Sequence, residues 1–299
     1  MSSLKNVLYF QAGFGLIANM YLLFFYTFII VGHRPKPTDL MSYQLTFVHI
    51  MMVLIGGDMW LTDIFESLNI ENNFKCKTSF YIHRVMRGLS ICITCLLSVF
   101  QAVTISPSSS FLAKFKHKLK KYMISVFFCI WSFNLSFSSN LIFYVGGFIN
   151  VSETNQMKVT KSCSLFPTNY VLRGLILTLT ISRDVFLVGV MLTTSAYMVI
   201  ILFRHQRQCK NLYSISHLRA SPEKRATQNI LLLVVFFVII YWVDFIISST
   251  SVLLWNYDPF IQTIQKFVMN AYPTITPLIQ IISDKRIIRM LKILQSKYH

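Results

Sequence analysis

The chain has 299 residues, of which 54% are apolar and 15% aromatic, and it carries 28 Lys and Arg against 11 Asp and Glu, a formal net charge of +17. A soluble domain is typically about a quarter charged, whereas only 13% of these residues are. The low charge fraction also argues against a disordered basic tail or a polycationic nucleic-acid binder, because disorder requires low hydrophobicity as well as high charge. The composition excludes these classes and predicts a polytopic membrane protein that binds no nucleic acid.

Apolar windows long enough to cross a hydrocarbon core, which takes about 20 residues, recur along the chain. They span residues 7–31, 42–61, 80–106, 122–148, 172–203, 230–255 and 261–283. The first has no small-residue cleavage pattern after it, so we interpret it as a retained helix rather than a signal peptide. We find no fixed-period repeat and no soluble domain between the windows. The predicted fold is all-α: a single seven-transmembrane helix bundle over residues 1–299.

The basic residues are unevenly divided between the two sides of this predicted bundle. The loops after the first, third and fifth windows, together with the last residues, hold far more Lys and Arg than the other loops. By the positive-inside rule that side is cytoplasmic. The amino terminus is therefore predicted to be extracellular and the carboxyl terminus cytoplasmic. The net charge then reflects topology and contact with anionic membrane lipids.

Two glycosylation sequons test this topology. Asn150 lies in a predicted extracellular loop and precedes Val151 and Ser152, so it is predicted to carry a glycan. Asn134 begins a second sequon in the middle of a predicted helix, where it should remain unmodified.

Five of the six cysteines fall into two groups by predicted location. Cys76 at the start of the third helix and Cys163 in the loop before the fifth both face the oxidising side, and we predict a disulfide between them. Cys92, Cys95 and Cys129 are interpreted as buried apolar side chains.

Several sequence blocks then identify a family that the chain resembles. They are residues 33–40 (HRPKPTDL), 87–92 (RGLSIC), 94–102 (TCLLSVFQA), 104–107 (TISP), 203–208 (FRHQRQ), 221–228 (SPEKRATQ), 241–245 (YWVDF) and 283–287 (SDKRI). In these blocks, and in helix count and predicted disulfide, the chain resembles the vomeronasal type-1 receptors, a family of G-protein-coupled pheromone receptors. The third helix lacks the acid-Arg-aromatic switch of rhodopsin-like receptors, which fits this family.

The resemblance implies a function. A receptor of this family sits in the plasma membrane, detects small-molecule, pheromone-like cues from outside, and activates a heterotrimeric G protein of the inhibitory class. It is not an enzyme and needs no cofactor. Consistent with this, we find no nucleophile–base constellation, metal-ligand cluster or phosphate-binding loop in the sequence.

Charges within the predicted helices indicate where a ligand would bind. An ionised side chain at the bilayer centre costs roughly 2.5–3.5 kcal/mol on insertion scales, so it normally faces the interior and pairs. Arg87 is too deep to reach water easily and needs an acidic partner, either Asp184 or Asp244. One interpretation is an ion pair that fixes packing; the other is a ligand pocket. The candidate ligand-binding residues are His83, Arg87, Arg183, Asp184, Tyr241, Asp244 and Phe245.

The predicted cytoplasmic face carries a second candidate site. A G protein would dock near the cytoplasmic ends of the third, fifth and sixth helices, which hold Thr104, Arg204, Lys224 and Arg225. Ser221 and Pro222 form a favourable helix start, so the sixth helix is predicted to extend beyond the membrane.

Two alternatives stay open at this level. A bitter-taste-type receptor also lacks the rhodopsin-like switches, although the blocks at 87–107 and 221–228 favour the vomeronasal family. A transporter or channel is disfavoured by the odd helix count and the lack of a visible inverted repeat.

Overall fold

The apolar windows fold into long helices, because a backbone surrounded by lipid must satisfy its own hydrogen bonds. The computed structural model describes residues 2–32, 35–56, 72–107, 121–147, 157–158, 163–165, 170–212, 222–254, 259–284 and 286–288. Within them the long helices are α1 (Ser2–Gly32), α2 (Pro37–Gly56), α3 (Asn72–Ile105), α4 (Met123–Ser138), α5 (Tyr170–Leu212), α6 (Pro222–Leu254) and α7 (Pro259–Ser283).

Five of these helices, α1 to α5, contain a described stretch that is long and apolar enough to cross a membrane. In α6 the described apolar stretch is shorter, Leu231–Ile247. The chain is therefore a helical membrane protein, and its seven spans and their orientation remain predictions.

Several helices extend beyond their apolar windows. α3 begins at Asn72 rather than at residue 80, α5 continues to Leu212, and α6 begins at Pro222. Hydropathy detects only the apolar part of a helix, whereas polar turns outside that part continue the same backbone hydrogen bonding. The start of α6 at Pro222 confirms the helix start that Ser221 and Pro222 predicted in the sequence.

The fourth window was predicted as one helix to residue 148, and this is wrong at its end. α4 stops at Ser138, and after a turn only Leu141–Tyr144 is helical. The hydroxyl of Ser139 donates to the carbonyl oxygen of Ser136 at 2.7 Å, a local bond that competes with the helix. Two glycines, at 146 and 147, then favour extended chain over helix.

The fold is helical, as the sequence predicted, apart from a small sheet that follows this turn. Its strands are β1 (Val145–Gly147), β2 (Met157–Lys158) and β3 (Cys163–Leu165), in the order β1-β3-β2, and both pairings are antiparallel. Cys163 of β3 forms a disulfide with Cys76 of α3, with a Cα–Cα distance of 5.7 Å. The disulfide predicted from the sequence is thus present. We call this end of the bundle the disulfide end, and the opposite end the Asp39 end.

α3 is the central helix. In its apolar stretch 72% of the residues are buried, against 33% in α1, 22% in α4 and 17% in α5. The main core cluster joins its apolar side chains to those of α2, α4, α5, α6 and α7. Polar groups placed along α3 can therefore contact most of the bundle.

Asn19 of α1 stabilises an irregular place in α7. Pro277 has no backbone N–H, so the carbonyl of Pro273, four residues earlier, loses its helical donor. The side-chain amide of Asn19 donates to that carbonyl at 2.8 Å and also to the carbonyl of Gly15 at 2.8 Å. A Cβ at Gly15 would lie 2.6 Å from Oγ1 of Thr274, so only glycine permits this close approach.

Candidate functional site

An ion pair between α3 and α6 forms the centre of the candidate site. Nη2 of Arg87 lies 2.5 Å from Oδ2 of Asp244, whose side chain is 5% exposed, against 28% for Arg87. The guanidinium also stands over the ring of Tyr241, 5.4 Å from its centroid, in a cation–π arrangement. Of the two acids that the sequence offered, Asp244 is the partner of Arg87.

The other acid, Asp184, belongs to a neighbouring charged group on α5. It accepts hydrogen bonds from Nε of Arg183 at 2.8 Å and, on its second oxygen, from the hydroxyl of Tyr241 at 2.6 Å. Tyr241 thus contacts both charged groups, its ring facing Arg87 and its hydroxyl bonded to Asp184. The structure brings together five of the seven candidate ligand residues across α3, α5 and α6.

Three residues around Arg183 were not predicted from the sequence. The Arg183 guanidinium stands 4.8 Å from the centroid of the Phe137 ring and 3.5 Å from Oδ1 of Asn134. A Cβ at Gly88 would collide with the Asn134 side chain and would lie 3.3 Å from Nη1 of Arg183. Gly88, next to Arg87 in a family block, was the only sequence signal for this close packing.

Asn134 is completely buried, and its amide donates to the carbonyl of Ile130 at 2.8 Å and to the thiol of Cys92 at 3.6 Å. A glycan could not be accommodated at this position. The other sequon, at Asn150, lies outside the described residues.

A cavity opens beside the Arg87–Asp244 pair, between α2, α3, α6 and α7. It is small, since water-sized molecules could occupy only about 40 Å³ of it. The lining consists of Met52, Arg87, Ser90, Ile91, Phe237, Ile240, Tyr241, Asp244, Met269 and Tyr272. The sequence could not single out the apolar residues of this lining, because apolar side chains are common throughout these helices.

The remaining candidate ligand residues lie outside this lining. Arg183 and Asp184 do not line the cavity, although Asp184 accepts a hydrogen bond from the lining residue Tyr241. His83 is partly buried on α3, one turn nearer the disulfide end than Arg87. Phe245 is partly buried next to Asp244, with its ring 6.0 Å from that of Trp242. The cavity therefore includes three of the seven residues: Arg87, Tyr241 and Asp244.

Between the ion pair and the Asp39 end, a series of polar residues on α3 or directly after it bonds to neighbouring helices. The pairs are Ser90 with His49 of α2 (3.2 Å), Thr94 with Tyr272 of α7 (2.9 Å), Ser98 with Thr194 of α5 (2.7 Å) and Ser106 with Tyr197 of α5 (3.0 Å). Ser90, Thr94 and Ser98 recur every four residues on α3, and Ser106 directly follows its end. Three successive turns and the end of α3 therefore bond to neighbouring helices. These contacts couple the position of α3 to α2, α5 and α7.

The candidate G-protein-facing residues lie toward the Asp39 end. The Thr104 hydroxyl bonds to the carbonyl of Phe100 in its own helix at 2.8 Å, and Arg204 is exposed on α5. Lys224 and Arg225 belong to α6, but their side chains lie outside the described residues.

A second ion pair, which the sequence did not predict, closes the Asp39 end. Arg286 donates to both oxygens of buried Asp39, at 2.7 and 3.2 Å, and also contacts Asp284 at 2.8 Å. These hydrogen bonds, above all those to Asp39, raise the pKa of Arg286 above its ordinary value. The neighbouring Ile287 is fully buried against Leu22, Phe25 and Tyr26 of α1. The segment after α7 is therefore held against α1 and α2.

The free cysteines differ from the prediction in one case. Cys92 and Cys95 are buried, as expected, but Cys129 is exposed on the outer face of α4. Its apolar surroundings in the sequence do not distinguish a side chain that faces lipid from one that faces the core. Among the described residues no group of three or more His, Cys, Asp or Glu side chains could hold a metal ion.

Comparison with known proteins gives one consistent result. The model of the vomeronasal organ pheromone receptor family matches residues 2–293. Vomeronasal type-1 receptor 90 of Rattus norvegicus is 40% identical over 96% of this chain and 93% of its own length. Vomeronasal type-1 receptor 100 of the same species is 38% identical, over 97% and 89%. Vomeronasal type-1 receptor 48 of Mus musculus is 37% identical, over 97% and 96%.

Proposed function

The chain belongs to the vomeronasal type-1 receptor family, and we propose that it acts as a G-protein-coupled chemosensory receptor for small-molecule, pheromone-like cues in the plasma membrane. Its partners are the cue, membrane lipids and a heterotrimeric G protein, which the family resemblance places in the inhibitory class. The single observation that carries the proposal is the ion pair between Arg87 and the buried Asp244 in the wall of a cavity shared by four helices.

The proposed orientation places the disulfide end outside the cell. The excess of Lys and Arg in the loops and tail at the Asp39 end supports this orientation through the positive-inside rule. The Cys76–Cys163 disulfide supports it as well, because disulfides persist on the oxidising side of a membrane. A cue then reaches the cavity from outside, and the G protein meets Thr104, Arg204, Lys224 and Arg225 inside.

Signal transfer requires a ligand that binds two helix arrangements with different affinity. A ligand beside the Arg87–Asp244 pair contacts α3 and α6 at once, so it changes the free energy of moving one helix against the other. The polar contacts along α3, ending with Ser106 and Tyr197, give such a movement a route toward the cytoplasmic side. We expect these polar contacts to transmit the movement in this chain, which lacks the acid-Arg-aromatic switch of rhodopsin-like receptors.

Calcium imaging of cells that express the full chain with a promiscuous G protein tests the proposal. We expect volatile or urinary small molecules to evoke a response that disappears when the G protein is omitted. Arg87→Ala should abolish the response while surface expression remains normal. Thr193→Val, a change on the exposed face of α5, is the matched control and should respond like the parent chain.

Three results would count against parts of this proposal. A ligand-evoked current without any G protein would replace the receptor by a channel. An unchanged response of Arg87→Ala at normal expression would remove Arg87 from the ligand site. Loss of surface expression in Arg87→Ala would assign the ion pair to packing, and the double variant Arg87→Met with Asp244→Leu would then recover expression, because an apolar pair leaves no buried charge alone.

A further inference from the structure

We propose that the Asp39–Arg286 ion pair is a latch that limits activation of the receptor. When closed, it holds the segment after α7 against α1 and α2. When open, it frees the end of α7 to move as a G protein binds. This inference rests on the proposed function, since it concerns the regulation of the same receptor. Three observations carry it: a second partner for each member of the pair, an apolar anchor beside it, and a proline in α7 between the latch and the cavity.

Each member of the pair has a second partner within its own segment. The Arg286 guanidinium contacts Asp284 through Nη2 at 2.8 Å and through Nε at 3.2 Å, and its backbone N–H bonds to the same carboxylate at 2.9 Å. Asp39 lies in the first turn of α2 and accepts the backbone N–H of Lys36 at 3.0 Å. A negative charge is favoured at this end of a helix by the helix dipole. The pair can therefore open at a lower cost than a buried pair whose members have no other partner.

The pair has one buried and one exposed side. The side chain of Asp39 is 4% exposed, whereas that of Arg286 is 43% exposed. The guanidinium can therefore turn away from Asp39 toward the surface without crossing the core. Asp39 remains fixed at the start of α2, so Arg286 is the moving part of the latch.

An apolar side chain anchors the same segment next to the ion pair. Ile287 is fully buried against Leu22, Phe25 and Tyr26 of α1. The latch thus has a charged contact with α2 and an apolar contact with α1. Shortening Ile287 weakens the latch without leaving a buried charge unpaired, which gives a second way to open it.

The latch is continuous with the helix that lines the cavity. The N–H of Asp284 bonds to the carbonyl of Gln280 at 3.0 Å, and the N–H of Ile288 bonds to the carbonyl of Asp284 at 3.1 Å. Nearer the disulfide end, Tyr272 of the same helix lines the cavity. Pro277 lies between these two places and removes one hydrogen bond of the helix, and helices bend at prolines. A displacement of α7 at the cavity can therefore turn its last residues and pull on the latch.

Basal G-protein activation tests the latch without a ligand. Cells express the full-length chain with a promiscuous G protein, and accumulated inositol phosphate is measured at matched surface expression. Arg286→Ala should raise basal signalling about threefold or more, because it favours an arrangement that is a minor one in the parent chain. Arg286→Lys keeps one charged contact and should raise it less. Ile287→Ala should change it in the same direction as Arg286→Ala.

Lys36→Ala is the matched control. It removes a positive charge beside the pair, from an exposed side chain, and keeps the backbone N–H that bonds to Asp39. Basal signalling should then stay within about twofold of the parent, since exposed charges contribute little. An equal rise in Lys36→Ala and Arg286→Ala would overturn the inference.

A purely structural ion pair predicts the opposite sign. Its loss would lower surface expression without raising signalling per receptor. Basal signalling per receptor at or below the parent value in Arg286→Ala overturns the inference. If that variant does not reach the surface, the same criterion applies to Ile287→Ala.

Opening of the latch is also measured without any G protein, as hydrogen exchange of the full-length chain in lipid nanodiscs. Arg286→Ala should speed exchange of the Ile288 amide about tenfold, because local opening exposes its hydrogen bond. The amide of Val126 on α4, bonded to the carbonyl of Tyr122 at 2.9 Å, should exchange as in the parent. An unchanged rate at Ile288 contradicts the latch.

The two measurements separate this inference from the proposed function. Faster exchange at Ile288, with no G-protein activation of any variant either basally or by volatile and urinary small molecules, would reject the proposed function and keep the opening of the latch. Activation by such molecules, with basal signalling unchanged in Arg286→Ala and Ile287→Ala, would support the proposed function and reject the latch.

Discussion

The side-chain amide of Asn19 in α1 donates a hydrogen bond to the carbonyl oxygen of Pro273 in α7, across 254 positions of the chain, at 2.8 Å. That carbonyl would otherwise lack a donor, because Pro277 has none to offer. Within a membrane there is no water to replace the missing bond. One polar residue in α1 therefore permits a proline in α7.

Replacing Asn19 by Leu should lower the stability of the protein by about 1–3 kcal/mol, the cost of a buried carbonyl left unpaired. Pro277→Ala supplies a backbone N–H to that carbonyl, so Asn19→Leu should cost markedly less in the Pro277→Ala background. Thermal unfolding of the four proteins in nanodiscs measures this difference. Equal costs of Asn19→Leu in both backgrounds would disprove the relationship.

Gly88→Ala should destabilise the protein by about 1–3 kcal/mol, because the added methyl group collides with Asn134 and crowds Arg183. Gly189→Ala is the matched control, since a Cβ there meets no atom within 4 Å. In a helix interior that change should be neutral or stabilising by up to about 1 kcal/mol. Melting temperatures of both variants check the contrast, and a similar shift for the two would argue against tight packing at Gly88.

Arg286→Ala should destabilise the protein by about 1–3 kcal/mol, because it leaves Asp39, whose side chain is only 4% exposed, without its cationic partner. Asp39 would keep the hydrogen bond from the backbone N–H of Lys36 at 3.0 Å. Asp39→Ala removes the buried charge together with its bonds from Arg286 and Lys36, and we expect it to cost about 2 kcal/mol.

A double-mutant cycle on thermal stability measures the coupling of this pair. The exposed Arg207→Ala is the control for loss of one positive charge. Additive effects of Asp39→Ala and Arg286→Ala would show that the two residues do not stabilise each other.

The orientation of the chain predicts different outcomes at its two sequons. The parent protein should lose apparent mass on treatment with an endoglycosidase, and Asn150→Gln should remove that shift. Asn134→Gln should leave the glycan unchanged, because Asn134 is buried among α3 and α4. Gel mobility before and after treatment gives the answer. Unglycosylated surface protein, or a glycan that persists in Asn150→Gln, would contradict the proposed exposure of this loop.

Several features could be predicted from single stretches of sequence. Hydropathy located the helices because the free energy of burying a segment in lipid is a sum over its own residues. The start of α6 at Pro222 follows from local backbone chemistry. Cys76 and Cys163 could be paired because both were predicted to lie on the same, oxidising side. The family blocks added the class of protein, which membership then established.

Local sequence patterns were misleading where contacts with residues distant in the chain decided the structure. Cys129 has the same apolar setting in the sequence as Cys95, yet one faces outward and the other inward. Residues 145–147 looked like the end of a helix and became a strand, because β3 pairs with them through a segment brought near by the disulfide.

The sequence by itself determined that this is a helical membrane protein of the vomeronasal type-1 receptor family and that its buried charges must find partners. Only the tertiary structure decided that Arg87 takes Asp244 and that Asp184 takes Arg183 and Tyr241. It alone placed Asn19 at the carbonyl that Pro277 leaves open. The physical reason is that partner choice depends on how each helix is rotated and how closely it approaches its neighbours. Packing among residues far apart in the chain sets both.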